Sequence, residues 1–332
     1  MPRLFRRVFP LVVLWASIIA SGGASAGPDA AFPVEIEHAF GTTVIAEKPE
    51  RVATVNWANH EVPLALGIVP VGFAAANFGD DDGDGLLPWV AERLDELGAQ
   101  PPVLFDENDG IDFEAVAATD PDVILAAYSG LSRADYDKLS QIAPVVAYPE
   151  AAWSTDWREM IRLNSAGLGM AAEGEELIAR IEAEIAETVA DHPQLQGKTA
   201  MFVSHLDITN LSMVNFYTAN DTRVKFFEDL GLKLPQAVRE AAQKGRFADS
   251  ISAERVDKFG DVDLVVTYGN PKMRAVLALN PLLSRVPAVK NDAIVMLGRN
   301  PLGTAANPTP LSISWVLDDY VDLLAAAAEK SD

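Results

Sequence analysis

The sequence predicts an α/β protein: two Rossmann-like lobes with mostly parallel sheets, joined by one long helix. Three observations predict it. Strand-like and helix-like segments alternate from residue 34 to about residue 149. One helical pattern then occupies 156–190. After Gly197 the alternation resumes with Ala200-Met201-Phe202-Val203.

The first segment stands apart from the fold. Arg3, Arg6 and Arg7 form a cationic head, Val8 to Ala20 an apolar run, and Ala24-Ser25-Ala26 has the form of a signal-peptidase site. Residues 1–26 are therefore expected to be a cleaved export signal, too short to span a bilayer as an anchor. Their removal takes three Arg and no acid from 26 basic and 48 acidic residues, leaving a net charge near −25. Such a chain is repelled by nucleic-acid phosphates and anionic lipid, so neither is expected as a partner. There is no Cys, which excludes disulfides, Cys-bound zinc and lipid attachment through a thiol. A monomer without a membrane anchor, moving freely in the periplasm or outside the cell, is expected. The remaining length exceeds one typical domain. The expected division is 33–155 for the N-terminal lobe, 156–191 for the connecting helix and 192–330 for the C-terminal lobe.

Residues 34–45 alternate apolar and polar around Gly41, as a hairpin does. Val52 to Val55 reads as a strand, His60 to Leu66 as a short helix closed by Gly67, and Ile68 to Gly72 as a second strand. In 156–190, Ile161, Leu168, Leu177, Ile178, Ile181, Ile185 and Val189 recur at helical spacing, with Glu on the other faces. At 1.5 Å per residue the run would reach about 50 Å, with Gly167 and Gly169 placed to bend it. Thr309 to Ala328 closes the chain as a capped amphipathic helix.

A faint repeat links the lobes. DFEAVAATDPDVILAAY (112–128) resembles SAERVDKFGDVDLVVTY (252–268), pairing Glu114 with Glu254, Asp122 with Asp263 and Tyr128 with Tyr268. Each unit reads as a short helix, an Asp-bearing turn and a buried strand. Matched positions for the two Glu and the two Tyr are expected.

Several chemistries find no support. Asp80, Asp82, Asp84 and Gly85 imitate the first half of a calcium loop, but the twelfth position is Ala91, with Glu92 one residue late. A solvated acidic loop at the cleft rim is expected instead. His38, His60, His192 and His205 are not spaced as a metal pair, so no bound metal is expected. No nucleophile motif, phosphate loop or H-E-x-x-H is present. No catalytic residues are assigned, and the chain is not expected to be an enzyme.

Three ordered stretches resemble the periplasmic siderophore- and cobalamin-binding proteins of ABC importers. They are Pro49 to Thr54 with Glu61 to Gly72; Phe113-Glu114 with Thr119 to Ile124, echoed near Glu254; and Asn280-Pro281-Leu282, Val286 to Lys290 and Asn307 to Ser312. The last stretches resemble the iron-siderophore branch in particular. The resemblance implies a class III binding-protein fold with a ligand cleft between rigidly joined lobes. It implies a ferric siderophore as cargo, no covalently bound cofactor, and an inner-membrane ABC permease as partner. Glu114 and Glu254, one on each lobe, would dock on basic pockets of that permease.

Ligand contacts are then expected just past strand ends. Aromatic walls and cationic groups suit a bulky, partly apolar, often anionic complex. The candidates are Trp57, Phe78, Tyr128 with Arg133 nearby, Trp153, His205, Tyr217, Tyr268 followed by Arg274, and Arg299. Alternatives are a cobalamin or heme receptor, or a secreted metalloenzyme on a related two-lobed fold. Cleft charge separates the ligand classes. Several inward Arg fit an anionic complex, whereas a Trp/Tyr cleft fits a neutral hydroxamate or a corrinoid.

Overall fold

The computed structural model describes residues 32–204, 209–243 and 246–331, so residues 1–26, expected from the sequence to be an export signal, and His205 lie outside the described residues. The chain opens with a hairpin, β1 (Val34–His38) and β2 (Gly41–Ile45), whose buried residues Ile36, Thr43 and Ile45 face the first lobe. Then follow β3 (Val52–Thr54), α1 (Glu61–Ala65), β4 (Gly72–Ala74), α2 (Pro88–Glu96), β5 (Val103–Phe105), α3 (Phe113–Ala118), β6 (Val123–Ala126), α4 (Arg133–Leu139) and β7 (Val145–Ala147). The five strands β3 to β7 form a wholly parallel sheet in the order β5-β4-β3-β6-β7. Helical crossovers cover both its faces, so β6 reads as an uninterrupted apolar strand with every residue buried.

The helical run at 156–190 divides into α5 (Trp157–Gly167) and α6 (Ala171–Ala190). Gly169 causes the break. It adopts a left-handed φ of 69°, and Met170 N–H bonds back to Ser165 C=O at 2.8 Å, closing α5 as a left-handed cap. The chain then reverses. Arg158 pairs with Glu182 at 2.7 Å and Arg162 with Glu175 at 2.8 Å, so the two helices run side by side. Gly174 lets them approach, since a Cβ there would meet the Ser165 side chain. The connection is therefore α6, twenty residues and about 30 Å long, buttressed by α5.

The second lobe contains β8 (Ala200–Val203), β9 (Met213–Tyr217), α7 (Thr222–Asp229), α8 (Gln236–Ala242), β10 (Ala248–Ser252), a 3₁₀ segment (Ala253–Phe259), β11 (Leu264–Tyr268), α9 (Lys272–Leu279), α10 (Pro287–Lys290), β12 (Ile294–Leu297), α11 (Pro301–Ala305) and α12 (Ser312–Ala328). Its sheet order, β10-β9-β8-β11-β12, repeats that of the first lobe. One strand differs: β9 runs antiparallel to both neighbours. Helix α12 buries Ile313, Val316, Leu317, Tyr320, Val321 and Leu324 at helical spacing, against α6 and the second sheet.

The sequence repeat is structural. Asp122 accepts from the backbone N–H groups of Glu50 (2.7 Å) and Arg51 (3.0 Å), just before β3. Asp263 accepts from Thr199 N–H (2.9 Å) and its hydroxyl (3.1 Å), just before β8. Each carboxylate clamps the start of the strand beside its own. Asp112 and Ser252 cap the preceding helical turns, which places exposed Glu114 and Glu254 at equivalent positions.

The tyrosines are not equivalent. Asp122 and Asp263 lie 141 positions apart, but Tyr128 and Tyr268 lie 140 apart. In the register set by the clamps, Tyr128 matches Gly269 and Tyr268 matches Ala127. Successive strand residues point to opposite faces, so one residue of offset separates their roles.

Candidate functional site

A cavity of about 640 Å³ opens between the lobes, within the ordinary size of a small-molecule site. Its first wall follows from the parallel sheet. Asn56, Trp57 and Ala58 follow β3, Ala75 to Asn77 follow β4, Glu107 follows β5, Gly130 and Leu131 follow β6, and Trp153 follows β7. All five strands thus contribute at their carboxyl ends, where open α/β sheets place ligands. The second lobe adds Arg223, Phe247 and Asn307.

The wall is locally strained. Asn56, Ala58 and Trp153 have φ near 60°, three of the five described non-glycine residues in that region. Such strain collects where a site needs a fixed geometry. Here hydrogen bonds hold it. Asn56 donates to Glu107 and accepts from Gly130 N–H (3.0 Å), and Trp153 N–H donates to Ser129 C=O (2.9 Å). Buried Asn59 accepts from Tyr128 N–H (2.9 Å) and donates to Tyr128 C=O (2.8 Å). Its amide oxygen also accepts from Asn164 of α5 (3.1 Å), so the strand-end loops are fixed to the connecting helices.

Trp57 and Trp153 are half-exposed on this wall. Trp153 stands edge-on to Tyr128, with centroids 5.4 Å apart at 82°. Its indole covers Gly130, where a Cβ would meet Nε1. Tyr128 lines the cavity but is nearly buried. Burial, then the nearby Asp221 charge, raises its pKa, while hydrogen bonds to Thr222 and Asn307 pull against the rise. Those partners belong to the second lobe, so Tyr128 bridges the cleft.

Arg223, at the start of α7, is the buried cation of the site. Its guanidinium forms a two-pronged pair with Asp221, at 2.9 Å and 2.6 Å, and Asp221 is wholly buried. It lies 3.9 Å over the Tyr217 ring and 5.5 Å from Phe202. Burial works against its charge, but the Asp221 hydrogen bonds and field outweigh that and raise its pKa further. Sequence reasoning missed this residue. The available signal was Asp221-Thr222-Arg223, a helix cap followed by a cation, next to Tyr217.

Glu61 was also missed as a cavity residue. Fully buried in the first turn of α1, it accepts from Trp89 Nε1 (2.8 Å) and from Leu311 N–H (2.9 Å) at the entry to α12. It thus ties the two lobes together. Burial pushes its pKa up, against the pull of these hydrogen bonds. His60 beside it stacks on Phe73 at 4.2 Å, and burial pushes its imidazole down to about 3, so it is neutral at ordinary pH.

The other candidates fall in two groups. Phe78, Tyr217, Tyr268 and Arg299 lie behind or beside the cavity. Phe78 packs edge-on against Tyr268 (5.7 Å) and under Arg299 (5.0 Å), a contact between lobes. Gly79 beside it presses on Thr304 of α11. Arg133 and Arg274 are not brought to the site. Arg133 pairs with Asp137 and donates to Phe40 C=O, on the hairpin side of the first lobe. Arg274 pairs with Asp292 (2.8 Å) and bonds to Ile294 C=O, along its own sheet. Both are spent on structure. Asp80, Asp82 and Asp84 bring carboxylate oxygens within 4.8 Å of one another, but their side chains do not line the cavity. Asp80 is instead bonded to the N–H groups of Gly83 and Gly85.

Comparison with known proteins agrees with this geometry. Residues 52–301 match the periplasmic binding protein family, and the chain belongs to it. The family and the relatives are binding proteins, not enzymes, and the fold is that of class III binding proteins. The crystal structure of Streptococcus pneumoniae PiaA in complex with ferrichrome superposes with a TM-score of 0.86 at 43% identity, covering 90% of this chain and all of that one. A probable siderophore-binding lipoprotein of Bacillus subtilis is 26% identical over 70% of this chain and 67% of its own length. The ferric enterobactin-binding periplasmic protein of Escherichia coli is 24% identical over 89% and 92%. Among the described residues no helix is long and apolar enough to cross a membrane.

Proposed function

We propose that the protein captures a ferric siderophore of the hydroxamate type between its lobes and hands it to an inner-membrane ABC permease. The observation that carries this reading is the charge of the cavity. Trp57, Tyr128, Trp153 and Phe247 supply aromatic wall, and the buried cation Arg223 is already paired with Asp221. Three hydroxamate anions cancel the charge of ferric iron, so such a complex is neutral and suits this wall. A tris-catecholate complex carries three negative charges and would need unpaired cations. Similarity to the ferrichrome-bound PiaA supports the same class.

In this reading the cargo rests on Trp57, Tyr128 and Trp153 from one lobe, with Arg223, Phe247 and Asn307 from the other. Phe78, Tyr217, Tyr268 and Arg299 hold the second wall in place. Glu114 and Glu254, exposed on capped turns at equivalent positions, dock on basic pockets of the permease. Residues 1–26 direct export to the periplasm, where the chain acts as a monomer with no nucleic-acid or membrane partner. Titration of tryptophan fluorescence with ferrichrome, a ferric tris-catecholate, cobalamin and heme tests the cargo. Ferrichrome should quench at micromolar concentration or below; silence with ferrichrome alongside tight binding of another ligand contradicts the reading. Charge reversal of Glu114 and Glu254 should abolish uptake and leave ferrichrome affinity unchanged. Lost affinity would place those residues in the cleft instead.

A further inference from the structure

Glu107 stands on the loop after β5, on the cavity wall. Its carboxylate accepts three hydrogen bonds, all from Asn56: the backbone N–H reaches Oε1 (3.2 Å) and Oε2 (3.0 Å), and the side-chain amide reaches Oε2 (3.0 Å). An ionised carboxylate offers roughly four acceptor sites. Its donors come from one residue on one side, so acceptor capacity is left toward the cavity.

Among the described residues, the rest of the wall does not cancel this charge. Arg223 is committed to Asp221 at 2.6 Å and 2.9 Å. Asp135, also on the wall, adds a second acidic group. Buried Glu61 lies at the base and is bonded to Trp89 and Leu311. Among the described lining residues, Glu107 and Asp135 are acids with no basic side chain paired to them, and a low-dielectric wall strengthens the field of an ionised carboxylate.

We propose that Glu107 makes the cavity a charge filter: it favours ferric complexes presenting an ammonium to the loop after β5, and rejects those with net negative charge. This deepens, and rests on, the hydroxamate reading. Rejection works because a like charge brought against Glu107 loses its water and finds no partner. Selection works because the open acceptor side of Glu107 gives an ammonium a charge-assisted hydrogen bond between opposite charges.

The test uses three linear ferric trihydroxamates with the same iron centre. One ends in a free primary amine, one is its N-acetyl derivative and one its N-succinyl derivative. Each is titrated into the wild-type protein and into Glu107→Gln, read by tryptophan fluorescence. Glutamine keeps an oxygen for Asn56, and the neutral N-acetyl complex reports whether the cavity remains intact. Wild type should bind the amine form roughly tenfold or more tightly than the succinyl form. Glu107→Gln should shrink that ratio to about threefold or less while keeping N-acetyl affinity. Equal affinities in wild type, or an unchanged ratio in Glu107→Gln, overturns the filter and leaves the hydroxamate reading standing. Failure of all three to bind wild type overturns that reading, and the filter with it.

Discussion

The two lobes share one strand order and one clamp, yet they meet the cavity differently. In the first lobe all five strands are parallel, and the loop after each one reaches the wall. In the second, β9 is reversed, and among the described residues the wall receives only Arg223, Phe247 and Asn307. The shared part is scaffold: β3, β6 and β7 correspond to β8, β11 and β12, with Asp122 and Asp263 in the same role. The difference carries the chemistry. The parallel lobe builds an aromatic surface from strand ends, and the altered lobe presents one ion-paired cation from α7.

That contrast can be broken most sharply at Arg223. Arg223→Leu leaves Asp221 buried without its partner, a situation that costs about 3–5 kcal/mol. Denaturant unfolding should show a loss of that size. A variant within 0.5 kcal/mol of wild type, by the ordinary range for surface changes, would mean the pair is not held as described.

Glu61 comes next, because it binds the lobes rather than distinguishing them. Glu61→Leu orphans Trp89 Nε1 and Leu311 N–H, at about 1–3 kcal/mol for a buried donor. Its pH dependence has a definite sign. A carboxyl whose folded pKa is raised favours the fold most below its unfolded value of 4.5, and that favour is lost as pH rises through the folded value. Glu61→Gln should flatten stability over that window. An unchanged slope would assign it to another group.

A smaller effect sharpens the aromatic side. Gly130→Ala places a Cβ against the Trp153 indole. Ferrichrome affinity should fall roughly tenfold, about 1.4 kcal/mol, with little change in unfolding midpoint. Loss of stability without loss of affinity would show that Trp153 yields easily and does not set the site. Smallest is the test of the shared scaffold. Asp122→Ala and Asp263→Ala should each cost about 0.5–1.5 kcal/mol, and by similar amounts. A large inequality would mean that the repeat matches in shape but not in load.

Much of the fold was legible because it is written in local periodicity. The hairpin around Gly41, the central strands β6 and β11, and α12 follow from patterns of two and of three to four. The break between α5 and α6 was signalled by Gly169, but apolar spacing continues across it, so periodicity alone favoured one run. The site was legible on the parallel side, where strand order along the chain predicts which loops reach the wall. Trp57, Tyr128 and Trp153 line the cavity for that reason. On the other side it was not. Arg133 and Arg274 stand near strand ends in sequence, but each turns back to its own lobe. Arg223 follows the reversed strand, and no sequence pattern announces that reversal. The Tyr128–Tyr268 match failed through one inserted residue, enough to turn a strand position to the other face.

If the cargo rests where proposed, its iron lies between Trp57, Trp153 and Arg223. Crystals grown with ferrichrome, measured at the iron absorption edge, locate the metal directly. The account predicts one strong anomalous peak inside the cavity, bounded by those three side chains. A peak outside it, beside Asp80, Asp82 and Asp84 or on the lobe surface, would contradict the account.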